Sequence, residues 1–545
     1  MNSTSSSFPW RGDATSLAAN PAVLIVLVPV VTLLLSYLVS WIASPLRGFP
    51  GPALASWSNL WRMYYAYDGS IHTTTHKMHQ KYGPVVRMAP NYLDLDYDAT
   101  ASLIKTCFDT KGVWRKTDWH AVSGFKVGKE IRYNVFSEVR PAEHTRMKKP
   151  VAKYWTTSAV ARMEPHIDSV VAFFAKQLQG RYADGGEKKM GKAFNFGDWA
   201  MFFGWDAVAK TTMNKRIGYL DHGSDFDGTL VTAEKASRYL VTIGMYPVLD
   251  RFLDKNPIYH IGPPSYTNLA TLAVKLLTAR LTGQDGHDAV QDLDFMDHYI
   301  EAKKQYPEIV DDFMLTSYVL VNLAAGADTT AAALRTVFYL CLRNRSIWKK
   351  LSEAVLAAPF AQPGSVQLPA PYAQTRAIPY LEAVIREALR LYPGNLFPQE
   401  RVVPAGGIKL PDGRFVPEGT ALGFNAYAMH RNKAIWGPDA EEFRPERFLR
   451  SEDESEAEYS DRMRLYNDSD LSFGAGSRKC IGMNLAMMEV YKTTATLVAM
   501  FDFELATQKE WTVTAELFPR ARGIVCRIRQ REGMFLRPDI DYRNE

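Results

Sequence analysis

Phe473-Gly474-Ala475-Gly476-Ser477-Arg478-Lys479-Cys480-Ile481-Gly482 is the stretch whose reading decides this chain. One thiol stands there among three glycines, with an arginine two residues ahead. A lone cysteine can be a buried hydrophobe, a nucleophile or a metal ligand. No zinc-type partner lies nearby, which disfavours zinc. Glycines let a backbone approach a flat ligand closely. Loop N–H groups stabilise sulfur as thiolate, and Arg478 can pair with an anionic ligand group. A soft thiolate on iron donates electron density and favours O–O cleavage. Of the three readings, a thiolate metal ligand is the one this loop suits best.

The rest of the chain supports a large folded body. It has 545 residues, 47% hydrophobic and 23% charged, well away from disordered composition. A net charge of +5 excludes a nucleic-acid partner bound by sheer basicity, and leaves room for acidic partners or anionic lipid. The four cysteines, Cys107, Cys341, Cys480 and Cys526, are scattered and form no C-x-x-C pair. That disfavours a disulfide framework and points to a reducing compartment. Cys107, Cys341 and Cys526 read as small buried hydrophobes.

Near the amino terminus, Pro21–Ala43 carries no charge. As a helix it rises about 34 Å, enough for a hydrocarbon core of about 30 Å. Pro29 is tolerable there, and Tyr37 and Trp41 suit the interface. A cleaved signal peptide has a shorter apolar core behind a basic start. Arg47, Arg62, Lys77 and Lys81 follow the run while only Arg11 precedes it, which favours a cytosolic body. The expected layout is a polar lumenal tail over 1–20, a transmembrane anchor over 21–43, a proline-rich hinge over 44–60 and a catalytic domain over 61–545.

Apolar residues at helical spacing predict helices at Ile71–Tyr82, Ala99–Phe108, Ala142–Trp155, Val160–Leu178, Ser265–Leu281, Val310–Asn344, Ile378–Leu391 and Asn484–Met500. Short strands are expected at Val85–Ala89, Tyr92–Leu95, Arg401–Val403, Ala421–Phe424 and Ile524–Ile528. The two types do not alternate, so a mostly α fold with small β-sheets fits better than a doubly wound sheet. The acidic stretch Ser451–Asp461 reads as a solvated loop.

Three further motifs carry chemistry. Ala325-Gly326-Ala327-Asp328-Thr329-Thr330 interrupts a long apolar helix with mediocre helix formers. The Thr329 hydroxyl can take the Ala325 carbonyl and open a groove beside Gly326. Asp328 and Thr329 then supply an acid and an alcohol for a proton relay; a small-residue contact face with a solvated Asp is the alternative. Glu387-Ala388-Leu389-Arg390 places a carboxylate and a guanidinium on one helix face. Pro445-Glu446-Arg447-Phe448 offers a second arginine that could bind the same glutamate.

In this order, the four motifs resemble the cytochrome P450 family over about residues 45 to 530. Phe473–Gly482 matches its haem-binding pattern Phe-x-x-Gly-x-Arg-x-Cys-x-Gly at every fixed position. The charge-free run and proline hinge resemble the eukaryotic microsomal type, and the surroundings of Arg401 and Gly406-Gly407 resemble fungal enzymes of secondary metabolism. The resemblance implies a P450 fold behind a single transmembrane helix, with haem as cofactor and Cys480 as its axial thiolate, within Phe473 and Gly482. It implies Asp328 and Thr329 as proton donors, and Glu387, Arg390 and Arg447 as a structural triad. Arg401, Arg478, His144 and Lys148 match positions facing the haem propionates. Lys148 departs from the usual arginine, a point charge replacing a planar fork.

The implied reaction splits O₂, placing one atom in the substrate and the other in water. Electrons would come from NADPH through a separate cytochrome P450 reductase, with cytochrome b5 as a further donor, at the endoplasmic reticulum membrane. Arg146, Lys148, Lys149 and Lys153 could dock the reductase's acidic face, or form a generic solvated face. The expected substrate wall is Leu323, Ala324, Ala327, Leu396, Phe397 and Phe518, with the region 122–127, suited to a hydrophobic small molecule; the same residues could be core. A haem-thiolate isomerase or dehydratase would need no O₂ or reductase, and such enzymes often lack the acid–alcohol pair. A membrane haem sensor would not need one.

Overall fold

The computed structural model describes residues 21–97, 103–185, 187–262, 267–288, 292–362 and 367–540. The helices include α1 (Pro21–Ile42), α2 (Pro141–Lys148), α3 (Phe196–Met213), α4 (Thr229–Ile243), α5 (Asp312–Arg343), α6 (Pro379–Leu391), α7 (Glu456–Ser469) and α8 (Met483–Met500). Strands β1 (Val85–Ala89), β2 (Tyr92–Leu95), β3 (Arg115–Lys116), β4 (Arg401–Val402) and β5 (Ala421–Gly423) form one sheet in the order β1-β2-β5-β4-β3. A separate hairpin pairs β6 (Thr512–Ala515) with β7 (Pro519–Arg522). The body is mostly helical with small sheets, as composition and spacing require.

The central axis is α5. Asp311 caps its start, accepting from Met314 N at 2.8 Å. It ends at Asn344, whose side chain also caps the next helix by accepting from Ser346 and Ile347 N–H groups. α3 lies against α5 at backbone contact. A Cβ on Gly204 would stand 2.4 Å from the Ala327 carbonyl oxygen, and one on Gly326 would stand 2.6 Å from Val208 Cγ2. These glycines let the helices meet at a distance alanine would forbid.

Several boundaries move, for local reasons. The helix expected over Ala142–Trp155 stops at Lys148, because Pro150 has no N–H with which to continue the ladder, and resumes as a 3₁₀ turn at Ala152–Trp155. The Val160–Leu178 pattern divides into Thr157–Ala161 and Glu164–Tyr182. Of Ala99–Phe108, positions 99–102 lie outside the described residues, and helix is seen at Leu103–Cys107. The acidic stretch is only partly loop. Helix α7 begins inside it with a capping box between Ser455 and Glu458, a spacing readable in the sequence. α3 was missed because apolar residues surround it, leaving no stripe of period 3.6.

α1 is a 22-residue helix without a charged side chain, and Ile25, Leu33, Leu34, Leu35 and Val39 are exposed. The side chains at 21–24 and 26, like the tail over 1–20, lie outside the described residues. Among the described residues no helix is long and apolar enough to cross a membrane, so a spanning anchor is not shown.

Candidate active site

The loop ahead of α8 fixes the thiol. Gly474 and Gly476 take φ values of 69° and 63°, a left-handed region that side-chain-bearing residues avoid. At Gly476 the reason is also steric, since a Cβ there would lie 1.7 Å from the Phe108 carbonyl oxygen. Cys480 N donates to Phe473 O at 2.8 Å, closing the loop. Burial pushes the Cys480 thiol up, while N–H groups of Gly482 and Met483 and the cations Lys148 and Lys479 pull it down. Cys480 is nevertheless the accessible cysteine, whereas Cys107, Cys341 and Cys526 are buried. A thiol that is desolvated by surrounding protein and still accessible faces interior space.

Behind the loop, Glu387, Arg390 and Arg447 do come together. Arg390 grips Glu387 with two bonds, Nε to Oε2 at 2.7 Å and Nη2 to Oε1 at 2.8 Å. Arg447 Nε adds a third at 3.2 Å and Arg444 N a fourth at 2.9 Å. The remaining guanidinium donors reach the carbonyls of His430, Trp436, Asp439, Ala440 and Glu442 and the Asp439 carboxylate. His430, which sequence reasoning missed, links the cluster to the thiol loop. Its Nδ1 donates to Arg390 O at 2.8 Å and its Nε2 accepts from Leu471 N at 3.0 Å. That pattern requires a neutral ring, and burial lowers its pKa to about 4.

A second buried cluster has the opposite character. β3 pairs with β4 so that Lys116 stands opposite Arg401. Burial lowers the pKa of each cation there, and the positive charge of neighbours adds to it for all but Arg478, which burial lowers against the attraction of Glu138. Arg401 and Arg478 fall to about 10, His144 to about 3, and Lys116, His120 and Lys148 also fall. Their bonds go mainly to backbone carbonyls: Lys116 to Phe136, Lys148 to Ser477 at 3.4 Å, Arg478 to Glu138 and Arg401 to Glu400. Buried like charges without carboxylate partners are costly. The set fits a dianionic ligand beside Cys480, as haem with its two carboxylates would be. Lys116 and His120 are further members that no local motif announced; only the strand pairing brings Lys116 there.

On α5, Thr329 Oγ1 donates to Ala325 O at 2.9 Å, the bond expected from the sequence. The opening lies at Ala325, which is exposed in the middle of a buried helix. It does not lie against the bare face of Gly326, because Val208 fills that side. Asp328 points away from Thr329: Oδ1 accepts from Trp205 Nε1 at 3.1 Å and Oδ2 from Arg520 Nη2 at 3.2 Å. Sequence reasoning identified neither partner. Of the expected substrate wall, Ala324 and Phe518 are half-buried. Leu323, Ala327, Leu396 and Phe397 are at most 1% exposed and pack into the core instead. Ala327 meets α3 at Gly204, and Leu396 and Phe397 cluster with Trp119, Val241 and Met245.

Comparison with known proteins agrees with this geometry. The family model described as cytochrome P450 matches residues 49–527. The chain is 54% identical over 532 residues, 97% of each protein, to the cytochrome P450 monooxygenase cfoH of Aspergillus candidus. It is 32% identical to a cytochrome P450 monooxygenase of Aspergillus terreus, covering 90% of this chain and 96% of that one. With cicH of Emericella nidulans it shares 30% identity over 90% and 95% of the two chains. An accessible thiol in a glycine-bent loop, facing a cluster of buried cations, and a match over nearly the whole chain have one reading: the chain belongs to the cytochrome P450 family.

Proposed function

We propose that this haem-thiolate monooxygenase inserts one atom of O₂ into a hydrophobic small molecule, an intermediate of fungal secondary metabolism. Electrons come from NADPH through a separate reductase. The observation that carries the reading is Cys480 accessible to the interior while cations gather beside it whose hydrogen bonds, among the described residues, go mainly to backbone carbonyls. Haem bound through a thiolate supplies the electron density that favours O–O cleavage. The protein's residues supply the rest. Arg401, Arg478, Lys116, His144 and Lys148 hold the ligand's carboxylates, and Gly482 and Met483 N–H groups hold the sulfur as thiolate. Thr329 passes protons from Asp328 into the opening at Ala325. Ala324 and Phe518 offer apolar surface for the substrate.

Lys149 and Lys153 are exposed on the α2 side and bind no carboxylate among the described residues. They suit the acidic face of a reductase and of cytochrome b5. The body sits on the cytosolic face of the endoplasmic reticulum, anchored by α1, whose 22 residues span about 33 Å. Exposed Leu54, Trp57, Leu60 and Tyr64 continue its apolar surface onto the body.

The test is spectral first. The reduced carbon monoxide complex should show the red-shifted Soret band of a thiolate ligand, and Cys480→Ser should abolish it; an unchanged band removes the assignment. NADPH- and O₂-dependent product formation with a co-expressed reductase, followed by mass spectrometry over candidate metabolites, then identifies the substrate. Changing Lys149 and Lys153 to Glu should slow reductase-supported turnover and spare peroxide-supported turnover.

A further inference from the structure

The strands that carry Lys116 and Arg401 are under electrostatic load. β3 and β4 have two residues each, and their register sets Lys116 directly opposite Arg401. Like charges at such a cross-strand position push the strands apart. Burial, Arg478 and Arg401 all lower the pKa of Lys116. Strands this short gain little from their own ladder to oppose the repulsion.

The reverse face of the same sheet is built to resist it. Successive residues of a strand point to opposite faces, so Thr117 and Glu400, the next residues beyond the cation pair, turn away from it. The register places Val402, Ala421, Tyr92 and Asp94 on that reverse face as well. There Thr117 Oγ1 donates to Glu400 Oε2 at 2.9 Å, tying the end of β3 to the start of β4. Arg62 Nη2 donates to Glu400 Oε1. Arg62 comes from the helix Leu60–Asp68, outside the sheet, and its guanidinium lies 4.0 Å from the centroid of the Tyr92 ring. The Tyr92 hydroxyl in turn donates to Asp94, which pairs with His79 at 2.9 Å. The Arg62 and Glu400 side chains are 6% and 7% exposed. Desolvation offsets most of the attraction in so dry a pair, so its contribution is to geometry more than to net stability.

We propose, on the reading of Lys116 and Arg401 as holders of the haem carboxylates, that Arg62 is a positioning residue for the haem site. Through Glu400 and Thr117 it holds β3 against β4 from behind, and so keeps the two cations side by side on the front. A ligand binds in proportion to the fraction of molecules whose site is formed. Without the pin the strands part under their own repulsion, and haem is held less tightly.

Haem transfer from the full-length holoenzyme to an acceptor protein, with hydrogen exchange of the same holoenzyme, tests this. Arg62→Met/Glu400→Gln removes the ion pair without stranding a charge and leaves Thr117 an acceptor. It should release haem about 10-fold faster and speed exchange at Arg115–Thr117 and Arg401–Val402, with α6 unchanged. Arg62→Lys, which keeps a cation for Glu400, should stay within about 3-fold of wild type. In a Lys116→Met background, where the opposed charge is gone, the same double change should add less than about 2-fold. If Arg62→Met/Glu400→Gln does not fold, Thr117→Val should give the same local exchange with a smaller rise in haem release. Unchanged exchange at the two strands, faster exchange spread through α6, or an effect that multiplies in full with Lys116→Met overturns the proposal. Faster exchange at the two strands with haem release unchanged overturns instead the reading of Lys116 and Arg401 as carboxylate holders.

Discussion

Two clusters of buried charge flank the thiol loop, and they answer the cost of burial differently. Glu387, Arg390 and Arg447 are at most 1% exposed, yet all three find partners within the chain. Burial, then Arg478, lowers the pKa of Lys116, His144, Lys148 and Arg401, and the set binds mostly carbonyls. The first cluster is complete in the polypeptide, while the second needs an anion. A self-satisfied network is there to shape the fold, here by holding His430 and through it Leu471. A network left positive marks where a ligand completes the structure.

The contrast breaks most severely if the wrong cluster proves dispensable. Glu387→Ala strands two arginines without their carboxylate and should cost about 3–5 kcal/mol, eliminating folded protein. Recovery of folded protein and thermal melting measure it, and a folded variant would end the claim that this cluster is structural. The paired change Arg401→Gln, Lys116→Gln should instead weaken haem retention about 10- to 100-fold, the worth of one or two charge-assisted bonds. The haem-free form should melt no lower than wild type, because repulsion among cations is relieved. Haem transfer to an acceptor protein and melting of haem-free protein check both halves.

Glu489 gives a third arrangement, a buried acid with no cation beside it among the described residues. It accepts from Thr330 Oγ1 at 2.7 Å, its Oε1 has no partner, and burial raises its pKa to about 8. Between the ordinary carboxylate range and about pH 8, the folded state keeps this proton and the unfolded state does not. Stability therefore falls as pH rises through that window, by at most about 1.4 kcal/mol per pH unit from this group. Glu489→Gln should flatten the melting-temperature slope from about pH 5 to 8. The smallest effect belongs to Lys148→Arg, which supplies a planar fork in place of a point charge and should tighten haem retention a few-fold. The same haem-transfer assay reads it.

Much of this was legible beforehand, and the limits are physical. Cys480, Glu387 and Thr329 announced themselves because their partners are local: loop glycines, an arginine three residues on and a carbonyl four residues back. Lys116 had no such signal, since its place beside Arg401 depends on two strands far apart in the chain. The direction of Asp328 was equally hidden, because it is chosen by Trp205 and Arg520 on other elements. Leu323 and Ala327 have the right chemistry for a substrate wall, but helical phase turns them into packing.

The Gly476 contact has a consequence in time. Its loop rests on the Phe108 carbonyl, and Arg478 reaches the carbonyl of Glu138, 340 residues earlier. During synthesis the early half of this cradle leaves the ribosome long before the cysteine exists, and the loop can seat only when nearly the whole chain has emerged. Haem capture is thus among the last events in making the protein, and until then the early cations must wait without their counter-charge.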